Sequence, residues 1–168
     1  LGGNTSFSSN AFTVANIDDP ATGSLSISGT PTQGQTLTAN TSSIEDLDGL
    51  GSFYFQWFAD GHAISGATHN SLLLTQALVG TIISLRVSYT DQQGTDASLT
   101  STTTTPVANI DDPATGSLSI SGTPAEGQTL SASLSDVSDP DGSTSTDFQW
   151  QINSGSSWLN IAGANSAS

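Results

Sequence analysis

The sequence predicts an all-β protein built as tandem sandwiches of about seven strands per unit, and three observations carry that expectation. The eighteen residues from Val14 to Pro31 return letter for letter as Val107 to Pro124. Between the copies, short segments alternate apolar and polar residues, with Gly, Pro and Asp turn signals roughly every 8–12 residues. One of those segments, Phe53-Tyr-Phe-Gln-Trp-Phe58, is aromatic enough for a central strand, which makes Trp57 a core candidate.

The repeat sets the domain organisation. At the same offset of 93 residues, Gly34–Leu37 matches Gly127–Leu130, Asp46-Leu-Asp-Gly49 matches Asp139-Pro-Asp-Gly142, and Phe55–Trp57 matches Phe148–Trp150. Residues 14–106 therefore read as one complete unit, large enough to bury its own core. Residues 1–13 occupy the place of the last strand of a preceding unit. Residues 107–168 read as a second unit lacking its last strands, with Ser168 set against Thr75 and no counterpart of residues 76–106. Such a half-sandwich leaves an open edge and an uncovered apolar face. The expected partners are thus neighbouring repeats of the same chain, or strands exchanged with another copy.

Each element follows from local pattern. Ser24–Ser28 alternates, Gly29 and Pro31 break it, and Gln35–Asn40 resumes it, giving two strands. The acidic loop Glu45–Ser52 precedes the aromatic strand, and Asp60-Gly61 signals a tight hairpin leading to residues 63–67. Ser71–Thr75 is a further strand, Gln76–Gly80 a turn, and Thr81–Asp91 the longest strand. Gln92–Thr95 turns the chain into a closing strand over residues 97–105. This is the strand count and spacing of an immunoglobulin-like sandwich, without the Cys-Trp-Cys signature of antibody domains.

Composition excludes several functions. Fifteen acids face a single base, Arg86, for a net charge of -14, while charged residues make up only 10% of the chain. Nucleic acid and anionic membrane surfaces attract Lys and Arg, so neither is an expected partner. No apolar run approaches the roughly 20 residues of a membrane span, so no membrane insertion is expected. The chain holds no cysteine, so disulfides play no part. Leu1 falls partway through a unit, so the missing leader segment says nothing about secretion.

Ten of the fifteen acids gather in two places per repeat: Asp18, Asp19, Asp111 and Asp112 in the linkers, and Glu45, Asp46, Asp48, Asp136, Asp139 and Asp141 in the loops. Clustered carboxylates repel unless a cation or a hydrogen-bond network compensates them, and a divalent ion is the simplest such partner. The competing reading takes Asp-Asp-Pro and Asp-x-Asp-Gly as turn formers. The loop also lacks the third acid and the closing Glu of an EF-hand.

Catalysis finds little support, and no enzyme is expected. His62 and His69 are the only histidines, with no Cys or Glu nearby along the chain, and the second unit has none to orient a Ser nucleophile. Trp57 and Trp150 read as core. Trp158, among Ser, Gly and Asn, has no counterpart in the first copy and is left without a role.

The linkers Asn-Ile-Asp-Asp-Pro at 16–20 and 109–113, the Asp-x-Asp-Gly loops, the Phe-Gln-Trp strands, the Gly66-Ala67-Thr68 turn and Val87-Ser-Tyr-Thr-Asp91 occur in a characteristic order. In these features the chain resembles the tandem immunoglobulin-like repeats of giant calcium-dependent bacterial surface adhesins, secreted by the type I route and used in biofilm formation and attachment. The resemblance spans nearly the whole chain. It implies an extracellular extender at the bacterial cell surface, which projects a terminal binding region and is stiffened by calcium at its joints. A carbohydrate- or protein-binding sandwich module of a secreted protein is the alternative.

In a sandwich of this topology, the entering linker shares a pole with the loop between the second and third strands and with the loop after the longest strand. That brings Asp18 and Asp19 beside Asp46, Asp48 and Asp91. The expected Ca²⁺ ligands are Asp46, Asp48, Asp91 and one or both linker residues, with Asp111, Asp112, Asp139 and Asp141 in the second unit, where Asp91 has no partner.

Overall fold

The structure is a computed structural model that describes Ser6, residues 8–142 and residues 145–168. The chain is all-β and divides into two compact units, Leu1–Ala108 and Asn109–Ser168. No helix among the described residues is long and apolar enough to cross a membrane.

The first unit contains β1 (Ser26–Ser28), β2 (Thr36–Asn40), β3 (Tyr54–Ala59), β4 (His62–Ala63), β5 (Ser71–Leu73), a single 3-10 turn at Gln76–Leu78, β6 (Ile83–Thr90) and β7 (Asp96–Thr100). They form two antiparallel sheets, one ordered β1-β2-β5 and the other β4-β3-β6-β7. Alternation decides what each strand buries, since successive side chains point to opposite faces. Along β6, Ile83, Leu85, Val87 and Tyr89 are all buried, while Arg86 and Thr90 on the other face are exposed. These four join Leu37 of β2, Leu72 of β5 and Trp57 of β3 in one cluster fed by both sheets. Trp57 is fully buried, as its strand position predicts, and its indole N–H donates to the His69 carbonyl at 2.9 Å. A buried indole left unpaired would cost about 1–3 kcal/mol.

The Asp-Gly hairpin forms where expected. Asp60 and Gly61 both take positive φ, 48° and 79°, which matches the right-handed twist of the flanking strands. The Asp60 carboxylate also accepts from the Ile82 N–H at 3.0 Å, so this turn is tied to the start of β6.

The division between units falls after Ala108, two residues later than the sequence period placed it. Val107 is 2% exposed and belongs to the core of the first unit, whereas its twin Val14 is 91% exposed. The Val107 N–H donates to the Thr81 carbonyl, and the Val107 carbonyl accepts from the Gly80 N–H, both at 2.9 Å. On the other side, Ala108 N–H donates to the Pro31 carbonyl and Gln33 N–H donates to the Ala108 carbonyl, again at 2.9 Å, as a parallel bridge. The identical letters thus serve different neighbours: Val107 closes the unit before it. Of residues 1–13, read as the last strand of a preceding unit, residues 8–13 form no strand and are exposed. Residues 1–5 and 7 lie outside the described residues.

The second unit contains β8 (Ser119–Ser121), β9 (Ser131–Ser133), β10 (Gln151–Asn153) and β11 (Trp158–Asn160), in two antiparallel pairs, β8-β9 and β10-β11. As far as its residues extend, its hydrogen bonds follow those of the first unit with one shift in register. Trp150 N–H donates to the Ala164 carbonyl, and Trp150 Nε1 donates to the Ser166 carbonyl, as Trp57 does to Ala67 and His69. Ile161 donates to the Trp150 carbonyl as Ile64 does to Trp57. Beyond the tryptophan the offset is therefore 97, not 93, because the β10-β11 hairpin is four residues longer than β3-β4. The pairing of Ser168 with Thr75 is corrected accordingly. Ala132 N–H donates to the Ala167 carbonyl as Ala39 does to Asn70, which sets Ser168 against Ser71. Trp158 lies in the longer hairpin, which explains its lack of a counterpart.

Candidate functional site

Three segments bring carboxylates together at one pole of the first unit. Asp18 comes from the linker, Asp48 from the loop between β2 and β3, and Asp91 from the end of β6. One oxygen from each lies within 4.8 Å of the others. Asp48 and Asp91 are buried, while Asp18 is exposed.

Local hydrogen bonds hold each member. The Asp91 carboxylate accepts from the backbone N–H of Gln93 at 2.8 Å and of Thr95 at 2.9 Å, closing the turn between β6 and β7. These backbone N–H groups, Thr95 first, hold Asp91 below its ordinary value of 3.8 against an opposing push from burial. Hydrogen bonds to the charged form favour it, so Asp91 is an anion at neutral pH. Asp48 accepts from the Asp19 N–H through Oδ2 at 2.7 Å, which fastens the linker to the loop. A backbone bond from Gln92 N–H to the Gly49 carbonyl, at 3.2 Å, fastens that loop to the turn after β6.

Asp46 and Asp19 sit beside the group of three and line the same cleft as Asp18 and Asp91. The Asp46 Oδ1 accepts from the Asp48 N–H at 2.9 Å, a turn-forming bond, and its Oδ2 accepts from the Tyr89 hydroxyl at 2.5 Å. Asp19 reaches Asp48 through its backbone N–H. Neither belongs to the group of three. Asp46 supports the loop that presents Asp48.

Sequence pattern marks Val87–Asp91 as a strand and gives Tyr89 no part in the site. Burial, then the Asp46 hydrogen bond and the negative charges of Asp46, Asp91 and Asp18, push its phenol up to about 12. Its ring meets Phe53 edge-on at 5.4 Å. The available signal was its place in the buried alternation of β6, two residues before an acid.

In the second unit the linker and loop repeat these bonds. Asp112 N–H donates to Asp141 Oδ2 at 2.6 Å, and Asp141 N–H donates to Asp139 Oδ1 at 3.0 Å. No third carboxylate joins Asp111, Asp139 or Asp141 in a group among the described residues. His62 and His69 are both exposed.

The donor set is oxygen only, without His or Cys. That suits a hard cation such as calcium, which takes 6–8 oxygens from carboxylates, carbonyls and water, rather than the softer metals that favour imidazole or thiolate. No protein-family model, curated protein or solved structure matches this chain.

Proposed function

We propose that the chain is an extender segment of a large bacterial surface adhesin, made of immunoglobulin-like sandwiches and stiffened by calcium where a linker enters each unit. The convergence of Asp18, Asp48 and Asp91 carries this reading. Three carboxylates from separate segments, two of them buried, sit together in a chain whose single base, Arg86, lies outside the group. A divalent cation would relieve their repulsion and cross-link linker, loop and turn. The ion would be held by Asp18, Asp48 and Asp91, completed by carbonyl and water oxygens, with Asp46 and Asp19 in support.

The near-identity of the two linkers and acidic loops supports a spacing role. A joint must recur in every repeat, whereas a recognition surface need not. The uncharged polar residues are Ser, Thr, Asn and Gln in a chain with a single Lys or Arg, which suits an extracellular filament.

Calorimetric titration of the full chain with calcium, paired with thermal unfolding in calcium and in chelator, tests the reading. Binding with a rise in Tm is expected, because a ligand that binds only the folded state stabilises it. Both should be lost in Asp48→Asn combined with Asp91→Asn. Absence of heat and of any Tm shift in the parent chain would reduce the acidic motifs to turns.

A further inference from the structure

The outer face of the sheet β4-β3-β6-β7 carries the chain's single base. Arg86 is exposed near the middle of β6, and its cross-strand neighbours, Gln56 on β3 and Thr100 on β7, are uncharged. Among the described residues, which include all fifteen acids, no ion pair or hydrogen bond engages its guanidinium. On the same face stands Tyr54, 69% exposed and paired with Ser88, which in turn pairs with Ser98. Residues offset by two across neighbouring strands are diagonal neighbours on a sheet face, so ring, guanidinium and hydroxyls share one patch.

Two shallow hollows meet there. The walls of one, of about 430 Å³, include Tyr54, Arg86, Ser88, Thr90, Asp96 and Ser98, and those of the other, of about 280 Å³, include Tyr54, Gln56, Phe58, Arg86 and Ser88. At the far end of the larger hollow the Thr90 hydroxyl donates to Asp96 Oδ1 at 2.7 Å and fixes that carboxylate. Arg86 and Thr90 are four residues apart on β6, about 13 Å at roughly 3.3 Å per residue. Base and acid thus stand at opposite ends of a hollow with the reach of a short oligosaccharide.

The repeat separates this face from the core. The inward residues Phe55 and Trp57 return as Phe148 and Trp150, whereas the outward residues Tyr54 and Phe58 give way to Asp147 and Gln151. The core is kept between the copies, and the outer face is free to differ, as a recognition surface is.

We propose that this outer face of the first unit binds a short saccharide bearing one carboxylate, a uronic or sialic acid joined to neutral sugars. The Arg86 fork takes the carboxylate through two parallel hydrogen bonds. Tyr54 offers its ring to the apolar face of a sugar, and Asp96 with the Ser88 and Ser98 hydroxyls takes sugar hydroxyls. A polyanion is disfavoured, since a single base would answer many charges on a chain of net charge -14.

The test titrates the isotope-labelled full chain with sialyllactose, with a disaccharide of glucuronic acid and N-acetylglucosamine, and with lactose, all in chelator. Amide shifts confined to β3, β6 and β7 are expected with an acidic probe, and the tighter of the two acidic probes names the source of the carboxylate. Lactose should bind about tenfold or more weakly, and Arg86→Gln should cost the acidic probe as much, the scale of one hydrogen bond to a charged group. Tyr54→Ala should weaken binding likewise, while Tyr54→Phe, which keeps the ring, should bind as the parent does. Both positions are exposed, so thermal unfolding of the variants should match the parent. No shifts with either acidic probe at millimolar concentration, equal binding of lactose, undiminished binding by Arg86→Gln, or tighter binding of a tetraglutamate peptide would each overturn the proposal. With no metal present, failure of the calcium reading leaves these outcomes unchanged.

Discussion

The hydroxyl of Tyr89 donates to Asp46 Oδ2 at 2.5 Å, across 43 residues of sequence. The bond ties the longest strand to the acidic loop. It also places a buried phenol beside three carboxylates, so core packing and the candidate cation site share one residue. Asp46 is thereby occupied on both oxygens, one by Tyr89 and one by the Asp48 N–H, and acts as a brace for its neighbour.

That brace gives stability an alkaline limit. The folded pKa of Tyr89 stands at about 12 against an ordinary 10.0, so its contribution is complete below pH 10 and is lost as pH rises from 10 through about 12. Tyr89→Phe should remove this alkaline slope. It should also cost roughly 1.5–3 kcal/mol at neutral pH, the range for hydrogen bonds to charged groups. Urea unfolding at stepped pH reads both effects, and an unchanged slope in the variant would count against the assignment.

Asp91 works in the opposite direction. Its folded pKa lies below 3.8, held there by the Thr95, Gln93 and Gly94 N–H groups, so its contribution is present above 3.8 and is lost as pH falls through the lower folded value. Asp91→Asn should flatten acid unfolding followed by circular dichroism below pH 4. Calcium binding by the parent chain should weaken as Asp91 protonates, because a ligand must be deprotonated to bind.

Asp48 and Asp46 should separate in a titration. Asp48→Asn removes a member of the carboxylate group and should weaken calcium binding at least tenfold. Asp46→Asn keeps the group and loosens the brace, so it should cost affinity less and stability more. If the two variants lose calcium equally, the distinction drawn from the geometry is wrong.

Two glycines with similar backbone angles should respond very differently to alanine. A Cβ on Gly23, at φ 85°, would sit 1.8 Å from the Ser43 carbonyl oxygen, while one on Gly34, at φ 76°, meets nothing within 4 Å. Gly34→Ala should cost only the left-handed backbone penalty of about 1–2 kcal/mol. Gly23→Ala must also displace the Thr22–Glu45 bridge and should cost roughly 3 kcal/mol or more, among the larger single-substitution effects. Thermal unfolding of the pair decides the point.

The strands were legible because burial imposes a period of two: β6, β3 and the Asp-Gly turn lie within a residue or two of where pattern placed them. Strand order determines which loops share a pole, which is why sequence places Asp18, Asp19, Asp46, Asp48 and Asp91 together; three of them, Asp18, Asp48 and Asp91, form the group. The role of Asp46 was hidden because its phenolic partner is 43 residues away and chemically unremarkable in sequence. The four-residue shift after Trp150 was hidden because Ser, Gly and Asn fill turns of many lengths without breaking any pattern. The place of Val107 was obscured by the repeat itself: identity of letters marks where a duplication begins, and folding closes each core at a different phase.

That last feature has a mechanical side. Residues 107–108 lie parallel to residues 31–33 and are bonded to them, while the opposite edge is bonded to residues 80–81. When the chain is drawn out by its two ends, the early segment is dragged backward and the late segment forward, so the bonds between them are loaded in shear and must yield together. An arrangement loaded end-on would open one bond at a time. Tension along the polypeptide would thus load in shear the bonds of Val107 and Ala108, two residues that sequence comparison assigns to the next unit.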